Sequence, residues 1–471
     1  MRAKKLLSHI NLKDEDIYDF YLSWEMMLFY TDNADALEVV MQGLLVFAQR
    51  RGSGFLIGAA LDGLSDACMA RNEFQSGLEY VEQALPYLIM EAHIPAQMNA
   101  FIHQGVFQYM LKNFPDSLES FRTVLSLGAG QSDPHSMYAL GHAHYQMAVG
   151  LTGMGYPAKA LDEAQRSIHY MRLSLVPHSM VLPHGIMGLA NYYLGEYAEG
   201  KKDALKSLDL AKRTDNWRMF GYAAAYAGMN ESEIPELGLA WQHAQDAISY
   251  GEKYGHTEII SMGYKISGDI YVRLEVPLKA VEAYQRGLEV DKDSFMAAEN
   301  AARLGVTLGL LGDPNADALL AEALAGASAA GLEGIEFNAR ALELSLFITR
   351  EDYDAFDANR ETIRTALIER SHPRGFVWVD YLQSQRLYQE GKLEESLALL
   401  EKTLLVLDET EFFWIHLRAQ RLYRALLETL GKDASAARKK IKAMLAIVES
   451  SLGDAPLQEE WQIFSEKIRD K

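Results

Sequence analysis

Thirteen histidines, one cysteine and sixty-five carboxylates among 471 residues supply material for metal binding and for acid–base or nucleophilic chemistry. Spacing decides whether they can perform it. His142 and His144 stand two apart, so on a helix they point to different sides and cannot share an ion. Cys68, inside the apolar stretch Leu61 to Met69, reads as a buried small hydrophobe. As the only cysteine it excludes a disulfide framework and any thiolate zinc site within one chain. The segment 151–156, LTGMGY, contains glycines but lies at a turn between helices, where no phosphate cradle forms. Glu394 and Glu395 sit in charged company on a helix surface, and no Ser, His and Asp set has the strand–turn–helix context of an exposed nucleophile. Arg438, Lys439, Lys440 and Lys442 form the densest basic run, opposite Ile441, Met444 and Leu445, and read as a solvated face. The expectation is a protein that is not an enzyme, with no cofactor and no metal.

Charge and hydropathy narrow the partners. A net charge of −20 opposes general attraction to nucleic-acid phosphates or anionic lipid. No apolar run approaches the ~18 to 20 residues of a membrane span. The opening MRAKKLLSHINLKDEDIY is basic but lacks an apolar run of signal-peptide length. A cytoplasmic protein binding neither nucleic acid nor membrane is expected.

The elements that position any site emerge from an internal repeat. A small residue, preceded by an aromatic or proline and followed by apolar positions three or four apart, recurs at Gly77, Ser117, Ala160, Gly200, Ala240 and Ala280. The intervals are 40, 43, 40, 40 and 40. Ala36 supplies an earlier copy; weaker ones fall near Ala318 and Phe356, then Ser396 and Ala437. Twelve positions before five of these stand Gly105, Ala148, Gly188, Gly228 and Gly268, small residues that let a first helix approach a second. Each unit therefore reads as helix, short turn, helix. The expected fold is all-α: a right-handed α-solenoid of about eleven helix pairs with a C-terminal capping helix. The boundaries run 1–13 for a lead-in, 14–454 for the solenoid and 455–471 for the cap.

The unit carrying Tyr264, Gly268, Tyr271, Pro277, Ala280, Tyr284 and Gly287 resembles the tetratricopeptide repeat (TPR) family. The longer period of about 40 resembles the C-terminal sensor solenoids of bacterial signal-transduction ATPases, of maltose-regulator-like and cyclase-linked type. The run from Tyr192 to Gly200 and the tail from Ala446 to Pro456 carry that likeness. No G-x-x-x-x-G-K-[ST] phosphate loop occurs in the chain, so the resemblance implies the sensor part alone.

Counting six and three before the small residue of each first helix, and one and four after it, picks out an inward stripe. It holds Asn99, Tyr109, His142, Tyr145, Tyr192, Tyr222, Met229, Lys265, Asp269 and Glu299, then Trp378, Tyr381, Gln385 and Tyr388. Tyrosine, tryptophan and amide side chains combine contact area with a polar handle. The stripe is expected to take a protein or peptide segment, or a small inducer, in a concave groove. Lys265 is its only basic residue, so a carboxylate clamp of the heat-shock-chaperone type is not expected. The function expected is ligand sensing for a signalling or transcription-regulating ATPase; the alternative is a constitutive scaffold.

Overall fold

The structure is a computed structural model that describes residues 12–30, 33–174, 176–292 and 294–469. Residues 1–11 of the expected lead-in lie outside it. Among the described residues there are twenty-three α-helices, one short 3₁₀ turn at Pro177–Met180 and no strand. They group as eleven successive pairs, from Asp14–Tyr30 with Ala34–Arg51 to Phe413–Thr429 with Ser435–Ser451, followed by a single helix, Gln458–Arg469. Every copy of the small-residue pattern falls in a second helix.

Local chemistry fixes where the helices start and stop. Ser53 accepts a hydrogen bond from the Leu56 amide at 3.2 Å, and Asp352 accepts one from Ala355 at 3.1 Å, capping orphan donors. Within nine of the pairs the turn carries one residue of positive φ, at Asn72, Lys112, Gly155, Gly195, Glu275, Gly312, Glu351, Gly391 and Gly431. A left-handed residue at that point reverses the chain in two to five residues. Non-glycine residues occupy it at a conformational cost.

Packing within the pair follows from the small residues. A β-carbon added at Gly105 would lie 2.6 Å from the Phe121 ring, and one at Gly268 would lie 2.4 Å from the Tyr284 ring. At Gly188 the nearest atom is the Ala204 β-carbon at 3.0 Å. In all three cases the partner is sixteen residues on, so one contact recurs through the stack. The cap turns Trp461, Phe464 and Ile468 inward, all buried. That covers apolar surface left by the last pair.

By its internal contacts the chain divides into two compact units. Unit 1 comprises 1–150, 162–183 and 212–217; unit 2 comprises 151–161, 184–211 and 218–471.

Gly268→Ala is expected to lower stability by about 1–3 kcal/mol, because the new methyl group must displace a buried ring. Gly326, inside helix Ala316–Ala329, meets nothing within 4 Å of an added β-carbon. Gly326→Ala is therefore expected to raise stability by up to about 1 kcal/mol through helix propensity. Urea midpoints of both variants check this; a gain at Gly268 would refute the packing register.

Candidate functional site

In unit 2 the inward stripes of non-neighbouring repeats meet and fill the space between them with charge. Lys265, on helix Thr257–Arg273, is wholly buried. Its ammonium lies 3.2 Å from Asp269 and 3.3 Å from Glu299, and 5.2 Å from the centre of the Tyr192 ring. Asp269 also takes Arg303 at 2.9 Å and accepts a hydrogen bond from the Tyr284 hydroxyl at 2.7 Å. Glu299 accepts from the Tyr193 hydroxyl, 106 residues earlier in the chain. Beside this group, Glu233 receives Arg273 at 2.7 Å and Arg374 at 3.0 Å. Three carboxylates thus face four cations in a nearly dry interior. Trp414 adds a neutral tie, its indole N–H donating to the Ser232 carbonyl at 2.8 Å.

The protonation states follow from these contacts. Burial opposes ionisation of Asp269, but Arg303, Lys265 and Arg273 outweigh it and hold the carboxyl well below its ordinary range. Burial likewise opposes charge on Lys265, yet Asp269 and its other neighbours keep the ammonium above its ordinary value. Burial opposes ionisation of Glu299 and Glu233 as well; Lys265 and Arg303 lower the first, Arg273 and Arg374 the second. Glu258 is the exception. Burial raises it to about 7, and the Tyr222 hydroxyl donates to it.

Unit 1 carries a different inward stripe. Asn99 and Tyr109 on helix Ile94–Met110, and His142 and Tyr145 on helix Pro134–Gly153, are all half-buried. Asn99 donates to the Tyr18 hydroxyl at 3.3 Å. His142 stacks on Tyr145 with ring centres 5.9 Å apart, and its Nε2 lies 3.2 Å from the Gln146 amide. Between these helices' side chains and helix Gly54–Ala70, His103 lies 2.9 Å from Asp62 and 3.3 Å from Asp66. Burial would lower the His103 imidazole, but the two carboxylates hold it at about 9. Burial and the charge on His103 push His142 down to about 3, so it stays neutral.

The twelve residues expected to line one groove fall in both units. Asn99, Tyr109, His142 and Tyr145 belong to unit 1; the other eight belong to unit 2. There Tyr192, Lys265, Asp269 and Tyr381 are buried. Tyr222, Trp378, Gln385 and Tyr388 are half-buried. Trp378 is tied to its neighbouring repeat, since its indole N–H donates to the Ala341 carbonyl at 3.1 Å. The counting rule missed His103, Tyr193, Arg273, Arg303 and Arg374. Alternating charge at Lys265, Asp269 and Arg273, four residues apart each time, was the readable signal of a shared ionic stripe. Among the described residues no group of three or more His, Cys, Asp or Glu is placed to hold a metal ion. Cys68 is buried, and burial raises its thiol. No described helix is long and apolar enough to cross a membrane.

This architecture is that of a TPR-like helical-repeat protein. No protein-family model matches the chain, and no curated protein matches it by sequence. Among solved structures, a Rap protein complexed with competence and sporulation factor is similar, with a TM-score of 0.57 at 13% identity. The match covers 76% of this chain and 99% of that one, and it shows the shared fold. Aspartyl phosphate phosphatase F from Bacillus subtilis matches with a TM-score of 0.46 at 11% identity, over 75% of this chain and 94% of its own. Scc4 in complex with Scc2n matches at 0.47 and 12%, over 95% and 92%.

Two outcomes follow. Lys265→Met is expected to cost about 3–5 kcal/mol, because it removes one of the two cations that the buried Asp269 and Glu299 share, the other being Arg303. Adding Glu299→Gln is expected to restore part of that loss; additive losses in urea unfolding would contradict a shared network. Glu258 has a raised value in the folded state, so its contribution is fullest below the ordinary carboxylate range and falls as pH rises toward about 7. Glu258→Gln is expected to gain stability relative to the unaltered protein between pH 5 and 8, a range set by the ordinary and raised values. A difference that does not change with pH would refute the assignment.

Proposed function

We propose that this chain is a non-catalytic binding module that takes a protein or peptide segment on the inward stripe of unit 1. One contrast carries the reading. Asn99, Tyr109, His142 and Tyr145 all keep part of their surface exposed while held in place by neighbours, whereas Tyr192, Lys265 and Asp269 in unit 2 are taken up by the chain's own ion network. Held side chains lose little further freedom on binding, which favours affinity. Aromatic rings and amides side by side suit an extended backbone, offering contact area together with donors and acceptors. Asp62 and Asp66 border the stripe, so a neutral or basic segment fits it better than an acidic one. The Rap protein described above was solved with competence and sporulation factor, and that complex supports the fold as a scaffold for recognition.

Within this reading, the chain acts as the sensor part of a bacterial signalling or transcription-regulating ATPase, answering its ligand with a change in the stack. Repeats that touch mainly their neighbours bend with little loss of local packing. Small-angle scattering with and without ligand separates this from a constitutive scaffold, which would keep one radius of gyration.

The recognition surface is tested with a peptide selected from a display library against the full chain. Asn99→Ala and Tyr145→Ala are each expected to weaken its binding by about tenfold, or ~1.4 kcal/mol, with melting nearly unchanged. Affinity unaltered in both variants would overturn the reading.

A further inference from the structure

Unit 2 contains a recess beneath the cap, partly open to solvent, with about 20 Å³ of room, roughly that of one water-sized particle. Three guanidinium groups, Arg273, Arg418 and Arg421, line it with a single carboxylate, Glu275; Trp414 and Phe464 supply apolar walls. Glu275 is already committed, taking Arg421 at 2.5 Å and Lys467 as well. Arg273 shares Glu233 with Arg374. Arg418 has no carboxylate within ion-pair distance among the described residues and lies over the Trp378 ring, 5.6 Å from its centre. On the lining itself three guanidinium groups thus meet one carboxylate, inside a chain whose net charge is −20.

Convergent guanidinium groups repel one another, and Arg418, half-buried, has no carboxylate beside it to offset that repulsion. Water offers these groups hydrogen bonds but does not offset their charge. An anion does both. Room for about one water-sized particle suits a small ion better than phosphate or sulfate, and the apolar walls disfavour a strongly hydrated ion. We propose that the recess is a binding site for one small monovalent inorganic anion of chloride size. Such an ion joins Arg273, on helix Thr257–Arg273, to Arg418 and Arg421, on helix Phe413–Thr429, and so ties together repeats far apart in sequence. The site is independent of the recognition surface proposed for unit 1.

Thermal melting is measured at constant ionic strength while chloride is replaced by gluconate, with Arg418→Met alongside; the methionine keeps an apolar stem on Trp378. The unaltered protein is expected to melt about 1 °C or more higher in chloride, relative to the variant's own difference between the two salts, with a saturating dependence on chloride. Arg418→Lys is expected to retain part of the response. Equal chloride responses in the unaltered protein and Arg418→Met would overturn the proposal. Should Arg418→Met fail to fold, crystals of the unaltered protein grown in bromide decide: an anomalous peak in the recess supports the site, and none refutes it.

Discussion

An ammonium group with no solvent exposure can stay charged only if other charges surround it, and Lys265 meets that condition through Asp269 and Glu299. Only one of the two carboxylates is brought to it by its own helix. Asp269 is one turn away, but Glu299 comes from the next repeat and is itself held by Tyr193, three repeats before it. Unit 2 can therefore desolvate this lysine only when its repeats are all in place at once. Each partner supplied late in folding would leave a buried charge exposed to an apolar surround. The network is thus a condition on the assembled unit rather than a local decoration.

That condition bears on function through space. A stripe filled by its own ion pairs offers no room for an extended ligand, and breaking such pairs to admit one is expensive. Unit 1 resolves the same stripe differently. Its charged group is His103 with Asp62 and Asp66, and Asn99, His142 and Tyr145 remain partly uncovered. Repeats of one design thus provide a rigid body in one unit and an available surface in the other.

Much of the fold was legible in the sequence because its cause is local. Gly268 must be small since Tyr284 lies against it, and that pairing recurs at a fixed offset that the repeat period exposes. The helix starts have local causes of the same kind, as at Ser53 and Asp352. The inward stripe was only partly legible. Helical phase places Lys265 and Asp269 on it correctly, but whether the stripe meets solvent depends on which distant repeats come together. Arg374 and Glu233 are 141 positions apart, and nothing in either helix alone specifies their meeting. Trp378 shows the same limit. Its spacing with Tyr381, Gln385 and Tyr388 is that of a binding face, yet its indole is spent on a neighbouring carbonyl.

Hydroxyl-radical footprinting of the free protein tests the central contrast most directly, by comparing oxidation rates of tyrosines along the two stripes. The account predicts ready oxidation at Tyr109 and Tyr145, and protection at Tyr192, Tyr193 and Tyr381. Comparable rates across all five, or faster oxidation of the unit 2 tyrosines, would contradict a filled stripe in unit 2 and an available one in unit 1.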